Sequence, residues 1–199
     1  MSKGDPIQLD TAIHIAGNWA AKWKELSPET EFHICGSIRR KEKMIRDIDI
    51  LVIDPDMHGT FEKGTIFEGI ELNLCFVKKE CEGAGLLFLT GDYKFNIALR
   101  SKAKGMGMKL NRYGLFRGDD VIASETEHSI FKALKTPYVA PEKRKSPNGQ
   151  KGIEITATGG GTIYEVFITE VHGFNFCDCR GYQYRRSCKH LNIALEKVS

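Results

Sequence analysis

Residues 35–51 read CGSIRRKEKMIRDIDIL, a line whose residue types and spacing could bind a phosphate and hold a metal ion. Gly36-Ser37 ends a short apolar run, Phe32 to Cys35, and opens a charged, helix-compatible segment. Glycine lets backbone N–H groups approach a phosphate, and a helix N-terminus favours negative charge. Arg39 and Arg40 add guanidinium forks that match phosphate oxygens. Asp47 and Asp49 then alternate with Ile48 and Ile50. In a strand, that alternation puts both carboxylates on one face and the isoleucines on the other. Paired hard oxygens suit Mg²⁺, which proteins bind through one or two carboxylates together with substrate phosphates. Alone, an Asp-x-Asp also fits a core strand with two surface acids. The upstream Gly-Ser and arginine pair favour the phosphate and metal site.

Two later stretches carry chemistry of other kinds. Residues 85–116 read GLLFLTGDYKFNIALRSKAKGMGMKLNRYGLF. Phe95, Ala98, Leu99 and Lys102 fall at helical spacing, which predicts a helix over 92–104 after the Thr90-Gly91 turn. Arg100 and the lysines around it, Lys104 and Lys109 included, make a basic face that fits either a solvated helix surface or a nucleic-acid contact. Near the C-terminus, Cys177-Asp-Cys179 is followed after eight residues by Cys188-Lys-His190. Three thiolates and one imidazole fit a closed tetrahedral Zn²⁺ site, and a tail this small gains stability from a metal. A disulfide pair or scattered thiols is the plainer alternative. Arg180, Tyr182, Tyr184, Arg185 and Arg186 lie between the two ligand pairs, and basic residues interleaved with aromatics suit nucleic-acid contact. Such a module could equally bind a protein.

The chain has 199 residues, 41% hydrophobic and 28% charged, which suits one compact domain with a small module, or two small domains. A net charge of +3 and a pI near 8.5 are too mild to establish nucleic-acid binding by themselves. Cys35, Cys75 and Cys81 lack ligand spacing and read as reduced, mostly buried thiols of an intracellular protein. No apolar stretch reaches ~18 residues and the N-terminus lacks an apolar signal core, so no membrane partner is expected.

The elements that must position these residues follow from periodicity. Ile7, Leu9, Ile13, Ala16, Ala20 and Trp23 predict a helix over 7–26, closed by Pro28. Strands are expected at Phe32–Cys35 and at Asp47–Ile53, the latter ended by Asp54-Pro55. Residues 61–77 read as a strand pair, with Ile70, Leu72 and Leu74 on one face and Glu71, Asn73 and Cys75 on the other. A helix is expected over 124–135, with Ser124 as its cap and Glu127 three residues on. The Pro-, Gly- and Lys-rich composition of 141–152 marks a linker.

Gly36-Ser37, Arg39-Arg40 and Asp47-x-Asp49 resemble the signature of the DNA polymerase X family of nucleotidyltransferases, and most closely that of its minimal viral members. Thr90-Gly91, Phe95-Asn96, Arg100, Lys109-Leu110-Asn111 and Tyr113-Gly114-Leu115 resemble the family's thumb, in the same order. The Cys/His set resembles a SWIM zinc finger. Together the resemblances imply an α+β chain. It would have a nucleotidyltransferase palm (a small mixed sheet with helices) over 1–82 and a small α/β thumb over 83–144. A linker at 145–152 would lead to a SWIM-like zinc finger over 153–199.

Only about 30 residues precede the signature, so a palm-plus-thumb minimum is expected, without a lyase domain or a helix-hairpin-helix fingers domain. The resemblance implies a minimal DNA polymerase that fills gaps or extends ends by a two-metal mechanism. Its cofactors would be two Mg²⁺ (or Mn²⁺) ions and one Zn²⁺. Its partners would be gapped or primer-template DNA, dNTP and, through the finger, a possible protein.

The resemblance also assigns roles. Gly36, Ser37, Arg39, Arg40, Phe88, Gly91 and Asn96 would bind nucleotide. Arg100, Lys104, Lys109, Arg185 and Arg186 would bind DNA. Asp47 and Asp49 would be catalytic metal ligands. Counting back from Thr90-Gly91 puts Asn73 where the family has its third catalytic carboxylate. Glu71 lies two residues earlier on the same strand face and is expected to supply that charge, with Asn73 as a neutral ligand. Leu89 also departs, since Phe88-Leu89 stands where the family has two aromatic residues against the sugar, and Arg46 replaces a glycine common before the first aspartate. These departures leave room for two other readings: a degenerate palm and thumb that only binds DNA, or a nucleotidyltransferase with a non-DNA substrate.

Overall fold

A computed structural model describes residues 5–144, 153–156, 163–167, 176–177 and 188–198. Helix α1 (Leu9–Leu26) buries Ala12, Ile15, Ala16 and Trp19, a spacing that puts all four on one stripe. It ends two residues before Pro28, as the missing N–H requires. The stripe packs on one face of a four-stranded sheet of order β2-β4-β6-β5, made of Glu31–Ile34, Asp47–Ile53, Ile70–Val77 and Phe61–Phe67. That face carries Ile48, Ile50 and Val52 of β4 and Leu72, Leu74 and Phe76 of β6, all buried. Trp19 stacks on Trp23 at 5.0 Å and meets Phe32 edge-on at 5.6 Å, closing the layer.

β4 and β6 run parallel, and their register sets Asp47 opposite Glu71 and Asp49 opposite Asn73. Farther along the same face come Leu51, Cys75 and Val77, which are buried with Cys35, Cys81 and Leu89. Helix α3 (Glu82–Thr90) covers this apolar half, and a Cβ on Gly85 would lie 2.7 Å from a Leu51 methyl. One sheet face is therefore apolar where a helix lies over it and polar beyond.

The turn from β5 into β6 is the pair Glu68-Gly69, both at positive φ, as a two-residue hairpin of right-handed twist requires. Two short strands that periodicity cannot reveal, β1 (Ile7–Gln8) and β3 (Met44–Ile45), pair with each other. The helix expected after Gly36 is a single turn, α2 (Gly36–Arg39).

Beyond α3, helix α4 (Tyr93–Gly105) starts at Asp92, whose carboxylate accepts the N–H of Lys94 at 2.8 Å. A meander β7-β8-β9 (Lys109–Asn111, Gly114–Arg117, Asp120–Ala123) follows, then α5 (Glu127–Ala133). Leu87, Leu99, Ala103, Met108, Leu115, Ile130 and Phe131 form the shared core. The cap of α5 is Thr126, which accepts from the Ser129 N–H at 3.0 Å, and not the expected Ser124. Where Ser-x-x-Glu suggested a capping box, the Glu127 side chain instead turns inward. Farther on, β10 (Ile153–Thr156), β11 (Ile163–Phe167) and β12 (Phe176–Cys177) form an antiparallel sheet that α6 (Lys189–Val198) contacts. No helix among the described residues is long and apolar enough to cross a membrane.

Glu127 is buried and joins distant parts of the chain. Arg39 grips it with both terminal nitrogens, at 3.0 and 2.9 Å. Arg144, fully buried, donates at 2.5 Å to Oε1, the oxygen that Arg39 Nη1 also holds, and to the Val139 carbonyl. The Arg144 guanidinium is walled by the rings of Phe95, Phe131 and Tyr138 at 5.5–5.6 Å. Burial pushes the Glu127 pKa up, but hydrogen bonds and charge from Arg144 and Arg39 outweigh it and hold the pKa below the usual 4.5. The stabilisation is complete above the unfolded value and is lost as pH falls through the lowered native one. Glu127→Gln is expected to lose about 3–5 kcal/mol of unfolding free energy at neutral pH, because two guanidiniums lose their counter-charge. Urea titrations across pH check this. The wild type should weaken as pH falls below about 4.5, and this component of the decline should be missing from the variant.

Candidate active site

The polar half of the sheet face is bounded by the β2–α2 turn. The Cys35 N–H donates to the Asp49 carbonyl at 2.7 Å, drawing the turn onto β4. Gly36 sits there at φ +59°, and a Cβ on it would lie 2.1 Å from Asp49 Oδ2. The glycine is thus required twice, by its left-handed backbone and by the carboxylate packed against its Cα.

On the other side of Asp49, the Asn73 amide donates to Oδ1 at 3.0 Å. Asn73 is buried, and its own Oδ1 has no hydrogen-bond partner. Ser37 Oγ is likewise buried and unpartnered. Orphaned buried oxygens are uncommon in native proteins and mark capacity for a ligand, ion or water. Two carboxylates with an unpartnered amide oxygen between neighbouring strands fit a hard, oxygen-ligated divalent cation. Glu71, paired in register with Asp47, also lines a cavity of about 270 Å³ with Asp5, Arg46 and Glu68.

The two arginines are held by the end of α3. Arg39 donates to the Thr90 hydroxyl at 2.6 Å besides gripping Glu127, so this guanidinium is engaged on three oxygens. Arg40 donates to the Thr90 carbonyl at 2.7 Å, while its buried Nε has no hydrogen bond. The Arg40 Nε also lies 3.6 Å from the Glu42 carboxylate, while Arg39 ties the turn to α5.

Asn96 is fixed by donating to the Phe88 carbonyl at 2.8 Å, and its Oδ1 would be 2.3 Å from a Cβ on Gly91. Phe88, Asn96 and Arg100 come together around one notch with Leu110 and Asn111, and the Arg100 guanidinium lies 5.4 Å over the Phe88 ring. Lys104 and Lys109 are exposed near the end of α4 and in β7.

Sequence reading missed the next link. Phe88 meets Phe61 of β5 edge-on, and Arg112 lies over Phe61 and donates to the Gly59 carbonyl at 2.8 Å and the Tyr113 hydroxyl at 2.6 Å. An arginine in a Asn-Arg-Tyr turn gives no local sign of a partner on a strand far earlier in the chain. Beneath this region, burial pushes the Cys35 thiol up to about 12 and the Cys75 thiol up to about 11.

At the other end of the chain, the donor atoms of Cys177, Cys188 and His190 lie within 4.8 Å of one another, with Cys177 Sγ 3.8 Å from His190 Nδ1. Two sulfurs and an imidazole nitrogen at this separation fit three corners of a zinc tetrahedron. Cys179, Arg185 and Arg186 lie outside the described residues.

The DNA polymerase beta thumb family model matches residues 85–145. The repair DNA polymerase X of African swine fever virus (Kenya isolate) is 28% identical over 136 residues, covering 55% of this chain and 78% of the viral protein. DNA polymerase IV of Saccharomyces cerevisiae is 29% identical over 109 residues, covering 55% of this chain but 18% of the yeast protein. Among solved structures, Leishmania infantum polymerase beta in a ternary P/T complex superposes with a TM-score of 0.62 at 18% identity, over 72% of this chain and 78% of that one. The chain thus has the mixed α+β fold of polymerase beta, and its likenesses support a place among DNA polymerase X proteins.

Proposed function

We propose that the chain is a minimal DNA polymerase of the X type, which adds nucleotides to a DNA 3′ end in gap filling or end extension. The observation that carries this reading is the seat of Asp49, held between Gly36 and Asn73 with unpartnered oxygens of Ser37 and Asn73 nearby. Ser37, the Gly36 turn and Arg40 would hold the β- and γ-phosphates of a dNTP. Asp47 and Asp49 would hold both Mg²⁺ or Mn²⁺ ions, with Glu71 or Asn73 completing the nucleophile-side set. Bound there, the cations would favour loss of the 3′-hydroxyl proton and neutralise the leaving pyrophosphate. Arg39 acts through Glu127 by holding the phosphate turn against α5. Phe88, Asn96 and Arg100 would face the nascent base pair and template, with Lys104 and Lys109 on the DNA backbone. Residues 1–82 would serve as palm and 83–144 as thumb. Residues 145–152 would link them to a zinc module over 153–199, in which Cys177, Cys179, Cys188 and His190 hold Zn²⁺ and Arg185 and Arg186 contact DNA.

One observation favours a second reading. The Asn73 amide already satisfies one oxygen of Asp49, so the site holds together without a cation. A palm that binds DNA without turnover would look the same. Primer extension on gapped, nicked and single-stranded DNA with each cation separates the two. Asp49→Ala is expected to abolish extension while fold and DNA affinity stay close to wild type; near-normal extension would sink the enzyme reading.

Gly36→Ala tests the seat of Asp49. Placing a side chain at φ +59° costs on the order of 1–3 kcal/mol, and the new methyl must also push the carboxylate aside. Extension should be lost with a melting temperature lower by several degrees. Retained activity would show that the carboxylate has room to move.

For the tail, metal analysis of purified protein should find one zinc per chain, and Cys188→Ser should release it and unfold the tail alone. Zinc-free protein would refute the zinc module. Truncation after Arg144 should leave extension intact and weaken DNA binding with a shallower salt dependence.

A further inference from the structure

We infer that Asn73 sets the cation choice of the palm, making its nucleophile-side position selective for Mn²⁺ over Mg²⁺. The inference rests on the cation-dependent reading of Asp47 and Asp49 given above. Three observations carry it. Asn73 lies directly across the β4–β6 ladder from Asp49, which is where a carboxylate would be needed to bridge to a shared ion. Its Nδ2 donates to Asp49 Oδ1 at 3.0 Å, which fixes the amide orientation. Its Oδ1 is buried and unpartnered, so the group has a neutral oxygen to offer and no charge.

The consequences for a cation follow from charge and hydration. Mg²⁺ is small, holds its water tightly and demands near-ideal octahedral geometry, so a protein must supply strong negative charge to draw it from water. Coulomb attraction varies as the inverse of distance, so exchanging a carboxylate for an amide removes more from the smaller ion. The Mg²⁺ dehydration cost stays unchanged. Mn²⁺ shares the preference for carboxylate, carbonyl and water oxygens and tolerates the loss better. Glu71 stands opposite Asp47, two residues along the ladder, so the oxygen directly across from Asp49 is the neutral one of Asn73.

The amide has a second effect. An aspartate at 73 would set two carboxylates about 3 Å apart, which cannot both ionise comfortably without a cation between them. With asparagine, the donated hydrogen bond replaces that repulsion, and the ion-free palm stays ordered.

The test measures binding directly, on the full-length chain. Free Mn²⁺ is followed by electron paramagnetic resonance during titration, then displaced with Mg²⁺, for wild type, Asn73→Asp and Asn73→Ala. Asp49→Ala defines which binding belongs to the palm. The expected result is a Mn²⁺-to-Mg²⁺ affinity ratio that falls about tenfold in Asn73→Asp, the low end of what changing one group around a metal site does. Asn73→Ala, which keeps the charge and removes the oxygen, should weaken Mn²⁺ by a similar factor.

Thermal melts give an independent readout. Asn73→Asp should melt lower than wild type without cation and recover on adding Mg²⁺, while the wild type changes little, because ligand bound only by the folded state stabilises it. An unchanged ratio in Asn73→Asp, or Mn²⁺ binding insensitive to Asp49→Ala, overturns the proposal. Primer extension run in parallel separates the two readings. A shifted ratio without extension by any variant keeps the cation assignment and removes the polymerase, and extension with an unshifted ratio does the reverse.

Discussion

The structure depends on one buried carboxylate. Glu127 is held by two guanidiniums, one from the turn beside the acidic pair and one from a segment whose composition reads as linker. A buried charge is costly unless it is paired and hydrogen-bonded, and around Glu127 Arg39, Arg144 and Tyr138 share the task. Because Arg39 belongs to the same turn as Gly36 and Ser37, the position of that turn is fixed from behind by a contact 88 residues away in sequence. The Gly36-Ser37 part of the turn can therefore be rigid although α2 is only one turn long.

From that anchor the rest follows by packing. The turn presses Gly36 onto Asp49, and β4 is pressed in turn against β6 in parallel register. Helix α3 covers only the apolar half of the face, so the acids and Asn73 are left at its edge. At the start of α3, a Cβ on Gly83 would fall 2.2 Å from the Thr126 backbone, so the helix meets the start of α5 at the closest distance backbones allow. Two glycines, at 36 and 83, thus set how near the acidic strand and α5 come to the elements between them.

Much of this was legible in the sequence, and the failures share a cause. Period-two alternation located β4 and β6 and sorted their faces correctly, because burial on one side dictates the pattern. Counting from Thr90-Gly91 singled out Asn73 as the position that departs from a carboxylate, and the strand register, which counting cannot give, sets it opposite Asp49. Glu127 was misread because Ser124 and Glu127 imitate a capping box, while the true cap, Thr126, sits between them. Its buried partners are remote, and no local pattern distinguishes an arginine that folds inward, such as Arg144, from one in a solvated linker. Arg112 and Phe61 were missed for the same reason. The two-residue strands β1 and β3 are too short to carry a period. In the tail, three of the four residues picked out by their spacing, Cys177, Cys188 and His190, bring their donor atoms within 4.8 Å of one another.

The sulfur atoms of the sheet face have a use as reporters. Cys35 and Cys75 are completely buried under α3, and their thiols stay protonated far above neutral pH. A thiol that is both inaccessible and un-ionised does not react with alkylating reagents while the native packing persists. Modification of either sulfur then requires the packing of α3 on the sheet to open, so a labelling rate would count excursions of the native ensemble. The same burial that makes these cysteines chemically silent turns them into a clock for breathing motions beside Asp49.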